Sequence, residues 1–416
     1  MAFFVLPALI FRQFFIEVTM DFSLTDEQKA LQSLARDYVD QHVRSAAAEF
    51  DRQSDPVDCI PSDIVEEGSR LGLRTLALSE ERGGGGADML TLSIVGEELG
   101  AGDLGVAATF DQTWKFTPIV EHWTNDEQKE MFIPPFLADN RYHLATCMTE
   151  PGAGTDHVLP STAPGAGIQM RAERDGDIYR LNGTKQFISN GGTAKLYVVY
   201  TRTDKTQGGL KGMTPFLVPA DTPGFTVSRI HDKMGRRLLS NATLVFEDAE
   251  VPAANRLGEE GGAEALRNSR IARGRGGYGA TVLGVSRAAF EEAVRYSRER
   301  VQGGKPIGQH QAVAQMIGDM YTRLEMARSV LWRTSWAVDH ADDYDPRMSW
   351  LTKVVCSEAA YEICRLALEV HGGMGYMREC PVEKYLRDVI SFLHGAGNNH
   401  IFRIKISSRI TGLPLE

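Results

Sequence analysis

Little in this sequence supports a disulfide scaffold or a metal centre. Its five cysteines, Cys59, Cys147, Cys356, Cys364 and Cys380, are an odd number at wide spacing. None falls in a C-x-x-C or Cys/His pattern of the kind that holds zinc. Reduced thiols in a cytoplasmic setting, with no metal, are therefore expected. Basic residues are in deficit, 45 Lys and Arg against 55 Asp and Glu, for a formal net charge of -10. That argues against a nucleic-acid partner, which needs a basic face. Long apolar runs are scarce as well. The run Phe3–Phe11 is too short to cross a bilayer as a helix. It has neither a basic leading region nor a small-residue cleavage signal. No membrane span is expected. Residues 1–19 differ in pattern from the chain after Met20, and they read as an extension ahead of a natural start at that methionine. An interfacial membrane anchor is the alternative.

What is present is ordinary in bulk and specific in detail. The 416 residues, 43% of them hydrophobic, suffice for two or three domains. Thr25-Asp26-Glu27-Gln28 is a capping box, and Leu31, Leu34, Ala35 and Tyr38 come after it at helical spacing. Further helices are predicted around Ile64–Leu71, Leu90–Leu99 and Glu127–Leu137, giving a helical region over 20–140. Residues 141–253 carry short β-branched or aromatic runs between regular turn signals, which predicts an antiparallel β-domain. Residues 254–416 return to helix. Val313, Ile317, Met320, Leu324, Ala327 and Leu331 form one apolar stripe, and Trp350–Val370 forms another helix. Met316, Met320 and Met326 are expected in the core. The fold class is thus α+β: helical, then β, then a four-helix-bundle-like domain.

The stretch 146–192 is the most informative. Thr149-Glu150-Pro151-Gly152-Ala153-Gly154-Thr155 is a small polar turn whose amides can form an anion-binding nest. Asp175-Gly176 and Asn182-Gly183 read as two consecutive hairpin turns. The second would deliver Gln186-Phe187-Ile188-Ser189, an aromatic edge with hydroxyl and amide donors, suited to a flat, polar-rimmed ring such as a flavin.

Five strings in order, TEPGAGTD (149–156), LNGTKQFISNGG (181–192), RERVQGGKPIGQHQ (298–311), VHGGMGY (370–376) and PVEKYLRD (381–388), together resemble the acyl-CoA dehydrogenase family of flavoproteins over about residues 20–412. The resemblance implies FAD as cofactor and an acyl-CoA as substrate. It further implies an electron-transfer protein as acceptor and a homodimer or homotetramer, or a hetero-oligomer with a homologue. It assigns Thr146, Cys147, Met148, Thr149 and Thr155 to the wall behind the flavin, with Thr155 also touching the acyl-CoA. Phe187, Ile188 and Ser189 pack on or donate to the ring. Arg300, His310 and Gln311 face the adenine and pyrophosphate, partly across a subunit interface. Gly372 and Gly373 give a glycine turn near that pyrophosphate, and Asn398 and His400 also face FAD. Arg275 falls near the substrate end.

The departures concern the base. The family's usual catalytic glutamate position falls on Ala396, and no Asp or Glu occurs from Val389 to Lys405. A second position used by some members falls on Gly274. Alanine cannot take a proton, although its N–H can hold a thioester carbonyl. Three explanations stay open. One is a relocated base, with Asp111 in TFDQTW as the first candidate and His394 as the second. Some relatives acting on cyclic acyl-CoAs use an aspartate from this region on a more distant carbon. Another is altered chemistry, such as expulsion of a β-substituent. The last is a non-catalytic FAD- and acyl-CoA-binding subunit. The loop His157–Ile168 is longer than the family pattern, and Gly303 stands where an aromatic is common.

Overall fold

The computed structural model describes residues 23–155, 163–164, 166–266 and 278–413. The extension 1–19, Gly274, Arg275 and most of the 157–168 loop lie outside them. Among the described residues no helix is long and apolar enough to cross a membrane, no group of His, Cys, Asp and Glu is arranged to hold a metal ion, and no disulfide forms.

Six helices come first: α1 (Asp26–Tyr38), α2 (Arg44–Asp51), α3 (Ser62–Arg70), α4 (Met89–Gly102), α5 (Leu104–His122) and α6 (Asp126–Ala138). The capping box forms as the sequence predicts. Gln28 N–H donates to Thr25 Oγ1, and Thr25 N–H donates to Gln28 Oε1, both at 3.1 Å. The helix that apolar spacing does not reveal is α5. It is buried almost all round, so it shows no polar stripe. Asp103 starts it, accepting from Gly105 N–H at 2.7 Å and Val106 N–H at 3.0 Å.

The β region holds β1 (His143–Cys147), β2 (Arg171–Asp175), β3 (Ile178–Ser189), β4 (Ala194–Arg202), β5 (Met213–Pro219), β6 (Phe225–Ile230) and β7 (Asn241–Pro252). They form one sheet in the order β1-β4-β2-β3-β7-β6, with β5 on β4. Two expectations need correction. The sheet is mixed rather than purely antiparallel, because β1 runs parallel to β4. The long β2–β3 excursion between them supplies the crossover that a parallel pair requires. Second, only Asp175-Gly176 makes a hairpin turn. Asn182-Gly183 lies inside the continuous strand β3, at a register shift opposite β7. Gly183 (φ 144°) bulges there because a Cβ would strike Met170 at 2.9 Å. Asn182 spends its amide on Asp248 instead of on a turn.

Strand alternation gives the sheet two cores. Leu196, Val198 and Tyr200 face Phe116 and Ile119 of α5, while Tyr197 and Val199 face Tyr179, Leu244 and Phe246.

The second helical region contains α7 (Tyr278–Glu299), α8 (Gln311–His340), α9 (Arg347–His371), α10 (Pro381–Ile390) and α11 (Asn399–Thr411), with a short β8–β9 hairpin (Val301–Gln302, Lys305–Pro306) before α8. Met320, Leu324, Ala327 and Leu331 enter its core, and Val313, Met316 and Ile317 pack on the edge. Met326 is 63% exposed and does not belong to the core, a further correction. It lies off the stripe that its neighbours define. α4 and α7 cross so closely that a Cβ at Gly100 or Gly284 would sit 2.0 Å from a backbone oxygen of the opposite helix. That crossing fixes the helical N-terminal region against the C-terminal bundle.

Candidate active site

The turn 149–155 is held by a buried ion pair that sequence reading missed. Lys185 is fully buried and points from β3 to Glu150, with Nζ 2.8 Å from the carboxylate and 3.1 Å from Met148 O. The same carboxylate accepts from Gln169 N–H and Met170 N–H, at 2.6 and 3.0 Å. Burial pulls the lysine below its usual range, and Glu150 pulls it back. A lysine at an inward position of an alternating strand is the signal that would have found it.

Next to this pair, β3 breaks register between Lys185 and Ile188. Gln186 N–H turns to Thr149 O at 2.8 Å. Phe187 is thrown into a left-handed backbone (φ 61°) with its ring 60% exposed and 5.0 Å from the His231 ring. A bulky residue rarely adopts that backbone away from a functional site. Ser189 is half-buried beside it, and Thr155 is exposed. Cys147 and Ile188 are buried within the sheet core, so only their backbones can face a ligand there. Thr146 precedes Cys147 on β1, its hydroxyl on Val198 O at 3.4 Å. Met148 packs under the turn.

The other predicted residues fall at two places in the C-terminal bundle. Arg300, His310, Gln311, Gly372 and Gly373 lie near the ends of α7 and α9. Asn398 and His400 lie near the start of α9, where the adjoining Asn399 bonds Lys353 and Ser357. The Tyr296 and His371 rings stack at 4.2 Å, joining the end of α7 to the end of α9. Arg300 lies about one turn past Tyr296. His371 directly precedes Gly372-Gly373. Gly372 adopts φ 57° and ψ -136°, a conformation open to glycine. A Cβ at either glycine would meet nothing within 4 Å, so this backbone is open to approach. His310 Nε2 bonds Gln302 O at 3.0 Å across the β8–β9 hairpin, whose turn uses Gly303 at φ 56°. Gln311 begins α8, exposed. Asn398 caps α11 by accepting His400 N–H at 2.8 Å, leaving its amide NH₂ to donate elsewhere. The structure does not bring these groups next to Phe187 within one chain: the exposed aromatic stands beside His231, whereas the glycine turn stands beside the Tyr296–His371 stack.

Asp111 lies on α5 in the wall of a cavity of about 610 Å³. Leu92, Trp114, Ile119, Trp123 and Thr281 line it together with Lys115, His122, Asp88 and Asp339. Asp111 is 4% exposed and forms an ion pair with Lys115, one turn along the helix. Asp339 stands at the start of α4, accepting from Met89 N–H at 2.8 Å. Desolvation, with Asp88 nearby, pushes its carboxyl up to about 6.

The wall behind Asp111 leads to the turn that carries Ala396. Arg236 is half-buried, its guanidinium 4.9 Å over the Phe392 ring and its backbone N–H on Asp388 Oδ1 at 2.5 Å. Burial lowers its pKa, and Asp388, Asp111 and Asp103 oppose that. Lys384 ties the group to α5, bonding Asp388 Oδ2 at 2.6 Å and pairing with Asp103. Beyond Phe392 the chain turns through exposed His394 and Gly395 to Ala396 (φ 58°) and Gly397 (φ 105°). A Cβ at Gly397 would strike the Phe402 ring at 2.4 Å, so the turn is fixed against α11.

Comparison with known proteins agrees with this layout. Residues 25–140, 145–249 and 260–411 match the N-terminal, middle and C-terminal domains of acyl-CoA dehydrogenase, respectively. A short-chain-specific acyl-CoA dehydrogenase of Megasphaera elsdenii is 35% identical over 374 residues, 89% of this chain and 94% of the relative. The solved butyryl-CoA dehydrogenase of M. elsdenii superposes with a TM-score of 0.87 at 33% identity, covering 94% of this chain and all (100%) of that one. A structure titled as the FAD complex of PigA aligns at a TM-score of 0.84 and 26% identity, covering 95% of this chain and 100% of that one.

Proposed function

Since this chain belongs to the acyl-CoA dehydrogenase family of flavoenzymes, we propose that it oxidises an acyl-CoA thioester whose acyl part enters the α4–α5 cavity, with Asp111 as the base. The observation that carries the reading is the pairing of two facts. The 394–397 turn has no carboxylate, and the wall of the α4–α5 cavity has a buried one on α5. FAD, when bound, supplies the acceptor for the hydride that leaves the substrate.

The turn 149–155 with Phe187, Ile188 and Ser189 would hold the ring. Arg300, His310, Gln311, Gly372, Gly373, Asn398 and His400 would hold the diphosphate and adenine, some of them from a neighbouring subunit. Ala396 N–H would bind the thioester carbonyl and Thr155 would touch the acyl-CoA, while Arg275, outside the described residues, is assigned to the substrate end by resemblance alone. Asp111 then takes a proton from carbon, and the C–H electron pair becomes the new double bond. A base on α5 rather than in the turn suits a carbon beyond the α-position, as in a cyclic acyl group. The relatives' names point to short acyl chains. An electron-transfer protein would reoxidise the flavin. The five buried, unpaired thiols suit a reducing compartment such as the cytoplasm.

A second reading, a catalytically silent subunit that binds FAD and acyl-CoA beside an active homologue, draws on the methyl group at Ala396. Anaerobic titration of the purified yellow protein with a panel of acyl-CoA thioesters separates the two. The first reading expects bleaching of the oxidised flavin band with at least one thioester. Bound FAD that no thioester bleaches would sink it and favour the second.

A further inference from the structure

The ion pair in the cavity wall asks for its own explanation. Asp111 and Lys115 keep only 5% and 3% of their side chains exposed. They lie four residues apart on α5 with the acid N-terminal to the base, the favourable orientation for a helical pair. Their surroundings are apolar and aromatic: Leu92, Trp114, Ile119 and Trp123 line the same cavity. Taking two charges out of water is costly, and an apolar pair of the same volume would commonly serve stability as well or better. A lone buried carboxyl in such a wall would protonate, and a carboxylic acid cannot take a proton from carbon.

Resting on the assignment of Asp111 as base, we infer that Lys115 is a positioning residue that keeps the Asp111 carboxylate ionised and aimed within the acyl cavity. Lys115 does not itself exchange a proton. As the carboxylate picks up the substrate proton, the ammonium stays charged and remains to stabilise negative charge building on the acyl group. Other charged groups face the pair. Arg236 acts on Asp111 from the β6–β7 loop and is a second, more distant cation. Asp88 and Asp339, from the start of α4 and the end of α8, line the same cavity, and His122 lines it from α5 itself. Lys115 is in direct contact with Asp111.

The test uses the FAD-loaded enzyme and the thioester that bleaches the flavin best, following the flavin-reduction rate against pH. Lys115→Met should move the acid limb of the profile up by about 1 to 3 pH units. Lys115→Arg, which keeps the charge, should leave it within about half a unit of the wild type. A uniform drop in rate at every pH for Lys115→Met, or equal shifts for both variants, overturns the inference. An infrared difference spectrum gives a readout independent of turnover. A protonated-carboxyl band should appear at neutral pH in Lys115→Met and vanish in Lys115→Met/Asp111→Asn. Its absence from the single variant also overturns the inference. Should Lys115→Met fail to fold, Lys115→Gln carries the same measurements. Asp111→Asn keeps the two levels apart. Full turnover in that variant ends the base assignment, whereas an inactive Asp111→Asn with an unmoved Lys115→Met limb ends only the role of Lys115.

Discussion

The turn at 394–397 and the cavity wall on α5 offer two different kinds of chemistry. The turn is mostly backbone: an exposed alanine and a glycine in left-handed conformations, pinned against Phe402. The wall is side chain: a carboxylate and an ammonium buried on a helix that is itself enclosed nearly all round. Arg236 and the Lys384–Asp388 pair hold the two against each other. The difference teaches that holding a carbonyl and removing a proton need not share a residue. An N–H in a fixed turn can do the first, while a proton acceptor requires an ionised group in reach.

The strongest way to break this contrast is Asp111→Asn. The change keeps shape and removes basicity, so the flavin-reduction rate should fall by about 10²–10⁴-fold while FAD stays bound. Stopped-flow reduction at saturating thioester measures it, and a rate within threefold of wild type would return the base to another group.

A second comparison sharpens the first, because the molecule has another buried lysine–carboxylate pair away from the acyl cavity. Lys185 and Glu150 lock the turn 149–155 against β3. Lys185→Met strands the buried carboxylate, and the expected loss is about 3–5 kcal/mol in stability by urea unfolding. Lys115→Met should act chiefly on the pH profile. Equal stability losses with no kinetic distinction would mean that both pairs are scaffold.

His143 tests how firmly α5 is mounted on the sheet. Its Nδ1 meets Thr113 Oγ1 of α5 at 3.2 Å, and burial, with Arg74 adding to it, lowers its pKa to about 3. The unfolded chain binds a proton near pH 6.5 and the folded one does not until about 3, so stability is full above about 6.5 and falls as pH falls. Between pH 7 and 5 this one group should remove about 2 kcal/mol. His143→Gln should lose that part of the pH dependence. A wild-type unfolding midpoint equally high at both pH values would contradict the assignment of a neutral buried imidazole.

How much of this was legible beforehand varies with the physics. The capping box at Thr25, the Asp175-Gly176 hairpin and the stripe from Met320 to Leu331 depend on short-range pattern, and each formed. α5 escaped because a helix buried on every side has no period to read. Asn182-Gly183 misled because the same dipeptide serves a tight turn or a bulge, and only the neighbouring strand decides. Asp111 was reachable through resemblance, and Lys115 through the i,i+4 spacing alone. Arg236 had no local signal, since its partner Asp388 is 152 positions away in sequence.

The smallest expected effect comes from Ala396→Gly, and it bears most directly on the turn. Alanine at φ 58° carries a steric cost of about 1–2 kcal/mol that glycine avoids. Glycine gives back about 0.4–1 kcal/mol through the greater freedom of its unfolded chain. The net is a stabilisation of about 0 to 1.6 kcal/mol, seen as a small rise in unfolding midpoint. If the turn contributes only its backbone, flavin reduction in Ala396→Gly should stay within about threefold of wild type, since the N–H is kept and a methyl group is all that is lost. A tenfold or larger loss would show that the methyl itself seats the substrate. The division between a backbone turn and a side-chain wall would then no longer hold.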